Sequence, residues 1–213
     1  AQLRAEGDKS PKTDQAQVVA RLSSVEKGAP QALVAQADAA TPQECISQDV
    51  PGSWVAIDLG EGRALCPESY ALRSGSARDK KLRHWQLQAS ADGAPGSWVT
   101  LSKHQTDETI AERPYAQAHW PIAPAAVAQR AFRHFRLLQT GPPSAARGAA
   151  PTNQLCLTGI ELYGGLETPQ TRRKRAALST ASRELAAHCT VLAADATSGL
   201  CLLGHPARPQ GML

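Results

Sequence analysis

Five cations crowd one short stretch of the chain: Arg73, Arg78, Lys80, Lys81 and Arg83, offset by one nearby acid, Asp79. Fixed cations on a rigid scaffold suit charge-assisted hydrogen bonds to an acidic peptide segment or to the hydroxyl face of a sugar. A solvated polar loop would contain the same residues, and both readings stay open at this level. Six His and five Cys are scattered singly, without the paired spacing that a tetrahedral metal site needs, so neither metal nor cofactor is expected. Ser53, Ser90 and Ser97 lack a Gly-x-Ser-x-Gly elbow, and no pair of carboxylates is spaced to face a cleft. No catalytic residue is assigned, and the chain is not expected to be an enzyme. Asp58, just before Leu59-Gly60, reads as a carboxylate that sets a turn. Cys156, between Leu155 and Leu157, reads as a small buried hydrophobe.

These side chains must be held by strands. Ser53–Leu59 alternates strictly, with Val55, Ile57 and Leu59 on one face, and Trp85–Ser90 does the same. Further strands are expected at 18–22, 70–73, 98–101, 132–139 and 155–163. In the last, Leu155 and Leu157 share one phase, Ile160 and Leu162 share the other, and Gly159 marks the switch expected of a bulge or bend. Turn signals punctuate the runs: Pro51-Gly52, Asp92-Gly93, Pro95-Gly96 and Gly141-Pro142-Pro143. Many short strands without long intervening helices indicate an antiparallel β-sandwich.

The ends differ from the centre. The four Trp, three Tyr and two Phe of this 213-residue chain all lie between Trp54 and Tyr163, so the core must be centred there. Residues 1–15 read as a linker, and 166–213 as a basic linker with a short amphipathic helix over 178–192, formed by Leu178, Ala181, Leu185, Cys189 and Leu192. The run Arg172-Arg173-Lys174-Arg175 belongs to that tail; without it bases and acids nearly balance, which argues against nucleic acid as a partner. No run of about 18 apolar residues is present to span a bilayer.

The order of the pieces resembles the discoidin domain, also called the coagulation-factor C-type domain. The pieces include Leu22-Ser23-Ser24, Gly52–Gly60, Tyr70-Ala71-Leu72-Arg73, Leu82–Trp85, Asp92-Gly93, Trp120-Pro121-Ile122, Phe132–Leu137 and Leu155–Gly164, and the match covers about residues 16–165. Pro67–Arg73 and the closing Leu-Cys-Leu resemble the intracellular branch attached to BTB-Kelch-type adaptors and large ubiquitin ligases. The resemblance implies an all-β, eight-stranded antiparallel jelly-roll β-sandwich, followed here by a disordered or partly helical C-terminal tail. It also implies binding by loops at one end of the sandwich: 23–30, 48–52, 74–82 and 141–153.

Of these loops, 74–82 with its flanking Arg73 and Arg83 is the expected partner-binding surface. The expected function is a non-catalytic protein-interaction module that recognises a protein or acidic peptide in a ubiquitin-ligase or adaptor context. The alternative is a carbohydrate-binding module appended to an enzyme. Carbohydrate ranks behind protein because none of the four loops holds the Trp, Tyr or Phe that a sugar platform needs. Membrane insertion is not expected, since no loop tip offers an apolar wedge. An odd number of cysteines without the terminal disulfide of extracellular members points to reduced thiols and a cytoplasmic location.

Overall fold

The computed structural model describes residues 17–35, 42–128, 130–145, 152–171, 173, 190–194 and 201–204. Contacts divide the chain into Ala1–Glu167 and Thr168–Leu213. The strands of the first unit are β1 (Val19–Leu22), β2 (Cys45–Ile46), β3 (Trp54–Asp58), β4 (Ala64–Ser74), β5 (Trp85–Ser90), β6 (Val99–His104), β7 (Gln117–Pro121), β8 (His134–Gln139) and β9 (Cys156–Glu167). A 3₁₀ turn covers Pro30–Val34, and one helical turn, α1, covers Pro124–Val127. Two antiparallel sheets result, one in the order β1-β3-β8-β5-β6 and one in the order β2-β9-β4-β7. Eight of these strands run four residues or more, and the ninth, β2, is a two-residue bridge to β9.

Alternation decides which side of each strand is buried. Val55 and Ile57 of β3, Trp85, Leu87 and Ala89 of β5, and Phe135 and Leu137 of β8 point inward. They meet Tyr70 and Leu72 of β4, Trp120 of β7, and Leu157 and Ile160 of β9 in one core cluster. The expected phase switch at Gly159 is a bulge. Arg73 pairs with Gly159 while Ser74 pairs with Leu157, so Thr158 is the extra residue. A second irregularity leaves Glu68 unpaired beside Pro67, a residue that has no N–H to offer a ladder.

The two sheets are tied by a buried polar chain as well as by apolar contact. Trp85 Nε1 donates to the Tyr70 hydroxyl at 2.9 Å, and Tyr70 lies 2.8 Å from His104 Nε2. His104 Nδ1 is 2.7 Å from Asp107 Oδ2, which also accepts from Trp120 Nε1 at 3.1 Å. The Ser102 hydroxyl joins the chain, 3.2 Å from the Tyr70 hydroxyl and 2.9 Å from His104 Nε2. The Trp85 and His104 rings stack with centroids 4.2 Å apart.

In the second unit, β10 (Thr190–Ala194) and β11 (Cys201–Gly204) pair antiparallel. The helix expected over 178–192 falls, as far as residue 189, outside the described residues. Its last three residues, 190–192, lie in β10. The linker expected at 1–15 also lies outside them.

Candidate functional site

The loops expected to meet at one end of the sandwich do meet. Lys80 Nζ donates to Gln154 Oε1 at 2.6 Å, and Gln154 Nε2 donates to Glu26 Oε2 at 2.6 Å. The Asn153 backbone N–H donates to Asp49 Oδ1 at 2.6 Å, and Lys81 N–H donates to Ser144 Oγ at 2.9 Å.

The five predicted cations do not form one patch there. Arg78 is exposed, whereas Arg73 and Lys80 are half-buried, Arg73 reaching Gln117 Oε1 at 3.4 Å. Lys81 is 0% exposed, with Nζ donating to Ser74 Oγ and the Gly75 carbonyl, both at 3.0 Å, and burial lowers its pKa. Arg83 also turns inward, donating to the carbonyls of Asp107 and Ile110 and lying 3.3 Å from Glu112 Oε1. The sequence shows their charge but not their direction: Lys81 and Arg83 flank the buried Leu82, and both side chains are themselves buried.

The Tyr70–His104–Asp107 chain has the order of a proton relay, yet its tyrosine is 0% exposed and burial pushes its hydroxyl up to about 12. It joins the two sheets. Cys156 is buried, as expected, and burial pushes its thiol up to about 11. Cys45, Cys66 and Cys156 are all free of disulfides. Among the described residues no group of three or more metal-binding side chains converges, and no helix is long and apolar enough to cross a membrane.

A different surface has the shape of a binding site. The inward placement of Val55 and Ile57 sends Trp54, Ala56 and Asp58 to the outer face of the five-stranded sheet, which carries an open cleft of about 570 Å³. Cross-strand pairing arranges that face in rows. Val19, Asp58, His134 and Ser90 form one row, Arg21, Ala56, Arg136 and Gln88 the next, and Trp54, Leu138 and Gln86 the third. The β5–β6 hairpin forms a wall through Asp92, Gly93, Pro95, Gly96 and Trp98. Gly93 and Gly96 have φ of 72° and 85°, a region that favours glycine.

Asp58, Arg136 and Asp92 are each braced. Asp58 accepts from Arg133 Nε at 2.7 Å and Nη2 at 2.9 Å, and from the Gly60 N–H at 2.8 Å, so it sets the turn as expected while its side chain lines the cleft. The Arg133 guanidinium holds the Asp58 carboxyl below the usual carboxylate range. Arg136 donates from Nε at 2.9 Å and Nη2 at 2.6 Å to Gln88 Oε1, and its guanidinium carbon lies 4.4 Å from the centroid of the Trp98 ring. Asp92 is turned into the hairpin; the Ala94 N–H and the hydroxyls of Ser97 and Ser90 bring it down to about 2.

No protein-family model matches the chain, and no curated protein matches it in sequence. Solved structures do. Chitosan-binding module 1 from a chitosanase/glucanase of Paenibacillus sp. IK-5 is 20% identical, with 70% of this chain and 97% of that one covered, at a TM-score of 0.46. A module of Clostridium perfringens, CpGH89CBM32-5, in complex with GalNAc-β-1,3-galactose, is 11% identical over 69% and 95%, at 0.49. The family 32 carbohydrate-binding module of C. perfringens NanJ, in complex with galactose, is 11% identical over 70% and 93%, at 0.47.

These findings correct the expected function and partner. These three structures are of sugar-binding modules, and none of them is a ubiquitin-ligase or adaptor domain. The ground for ranking carbohydrate behind protein or acidic peptide fails as well. The aromatic side chains missing from the four loops stand on strand β3 as Trp54 and just before β6 as Trp98, both partly exposed and both lining the cleft. The alternation that put Val55 and Ile57 inward already implied an outward Trp54. The first unit is an all-β antiparallel jelly-roll sandwich of two sheets, as expected.

Proposed function

We propose that the chain is a non-catalytic carbohydrate-binding module, of the kind appended to enzymes, and that it takes a glycan in the cleft on the five-stranded sheet. The observation that supports this reading is Trp54, partly exposed beside the small Ala56 and flanked by polar groups already held in place. A sugar ring offers an apolar face of C–H groups and a rim of hydroxyls. An indole supplies apolar area at low entropic cost, and preorganised polar side chains supply direction without reordering. The cleft volume of about 570 Å³ falls in the range of about 300–1,000 Å³ usual for ligand sites. The sugars in the similar structures belong to those proteins; the support within this chain is the cleft.

The test is a glycan array followed by calorimetric titration of the bound sugar against wild type and Trp54→Ala. The reading expects at least a tenfold loss of affinity in the variant, as for a central aromatic anchor, with melting temperature nearly unchanged. Wild-type affinity retained by Trp54→Ala would remove the cleft as the site.

A further inference from the structure

We propose that the cleft selects acidic glycans, chains whose rings carry carboxylates or sulfate esters, by a pair of arginines on either side of Ala56; this rests on the glycan-binding reading above. Arg21 on β1 and Arg136 on β8 are both register partners of Ala56 on β3. They therefore stand two strand spacings apart, about 10 Å between backbones, across a floor made only of a methyl group. Trp54 lies two residues along the same strand, about 7 Å away, on the same face. A ring set against Trp54 thus brings a substituent of its own or of its neighbour over the Ala56 pit.

The charges around that pit are unequal in availability. Asp58 is engaged by both nitrogens of the Arg133 fork and lies 3.8 Å from His134 Nδ1, and Asp92 is turned into its own hairpin. The cations are not so occupied. Arg21 is exposed, and no acidic partner is found for it among the described residues. Arg136 spends two of its N–H groups on Gln88, a neutral acceptor that fixes the guanidinium plane without cancelling its charge. Trp98 packs against one face of that plane, which leaves further N–H groups for a ligand. An arginine that stays charged, is partly desolvated and has no acid of its own is suited to bidentate capture of a carboxylate or a sulfate. Ala56 is what makes room, because a larger side chain there would separate the two guanidinium groups from the anion.

The experiment titrates the full chain with four probes: a hexuronate tetrasaccharide, its carboxyl-reduced neutral counterpart, the same neutral chain bearing sulfate esters, and the hexuronate in the presence of 0.5 M NaCl, on the order of several times physiological ionic strength. Wild type, Arg21→Gln, Arg136→Gln and Trp54→Ala are compared. At least one acidic chain should bind about tenfold or more tightly than the neutral one, and salt should reduce that preference. Arg21→Gln and Arg136→Gln should each reduce that preference severalfold, and Arg136→Lys should restore part of it. Which acidic chain binds identifies the anion. Equal affinity for neutral and acidic chains, or a preference unchanged by both arginine variants, would overturn the selection while leaving the glycan-binding reading intact. If no chain of any charge binds, and Trp54→Ala therefore has nothing to lose, the glycan-binding reading itself fails and the selection falls with it.

Discussion

At the scale of single residues, the same side-chain types do opposite work according to the direction their backbone gives them. Lys81 and Arg83 look in sequence like ligand-binding cations and are used inside the molecule, capping carbonyls and a serine hydroxyl. Tyr70, His104 and Asp107 look like a relay and are a strut between sheets. Replacing Asp107 by Ala should therefore destabilise the fold by roughly 2–3 kcal/mol in urea denaturation, because it leaves His104 and the Trp120 indole N–H without their buried acceptor. A cost below about 0.5 kcal/mol would mean that water satisfies those donors. Asp58 makes a second, pH-dependent case. Its folded pKa lies below its unfolded value of about 3.9, so its stabilisation is complete above that value and is lost as pH falls through the folded pKa. Asp58→Asn should lose about 1 kcal/mol or less at neutral pH, and its stability should converge with wild type as pH drops below about 4. Parallel curves across that range would assign no ionic role to the pair with Arg133.

At the scale of elements, alternation carried most of the reading. Trp85–Ser90 is a strand with the limits expected, Ser53–Leu59 shortens by one residue at each end, and the phase switch at Gly159 is a bulge. Two strands were not legible. Cys45–Ile46 is two residues long, too short to show a period, and Gln117–Pro121 places Ala118 and His119 where β propensity would favour larger residues. Burial of Ala118 and Trp120 between the sheets, which only the tertiary structure supplies, makes that segment a strand. The binding cleft escaped for a different reason. It draws on three strands distant in sequence, β1, β3 and β8, and on the β5–β6 hairpin, so its residues share no local motif and come together only through sheet register. Turns constrain elements as firmly as strands do. Gly28 has φ of 82°, and a Cβ placed there would lie against the Glu44 carbonyl, so Gly28→Ala must displace the bridge between Lys27 and Ile46. A loss of about 1–3 kcal/mol is expected by chemical denaturation. Wild-type stability would show that this bridge can slide at no cost.

At the scale of the whole molecule, the sandwich separates two tasks. One face of each sheet joins a shared core held by Trp85, Tyr70, Trp120 and their polar chain, and that rigidity frees the outer face of the five-stranded sheet to present fixed groups. A site made from strand positions is preorganised by the ladder itself, since each row of side chains is set by register and needs no loop closure. The central claim is that this face, and not the loop at 74–82, receives a glycan. The most direct measurement is a two-dimensional amide NMR titration of the full chain with the best-binding oligosaccharide from the array. The account predicts saturable shifts concentrated at Val19–Arg21, Trp54–Asp58, Asp92–Trp98 and His134–Arg136, together with the indole signals of Trp54 and Trp98. Shifts confined to residues 74–82 and 152–154, with those indole signals unmoved, would contradict it.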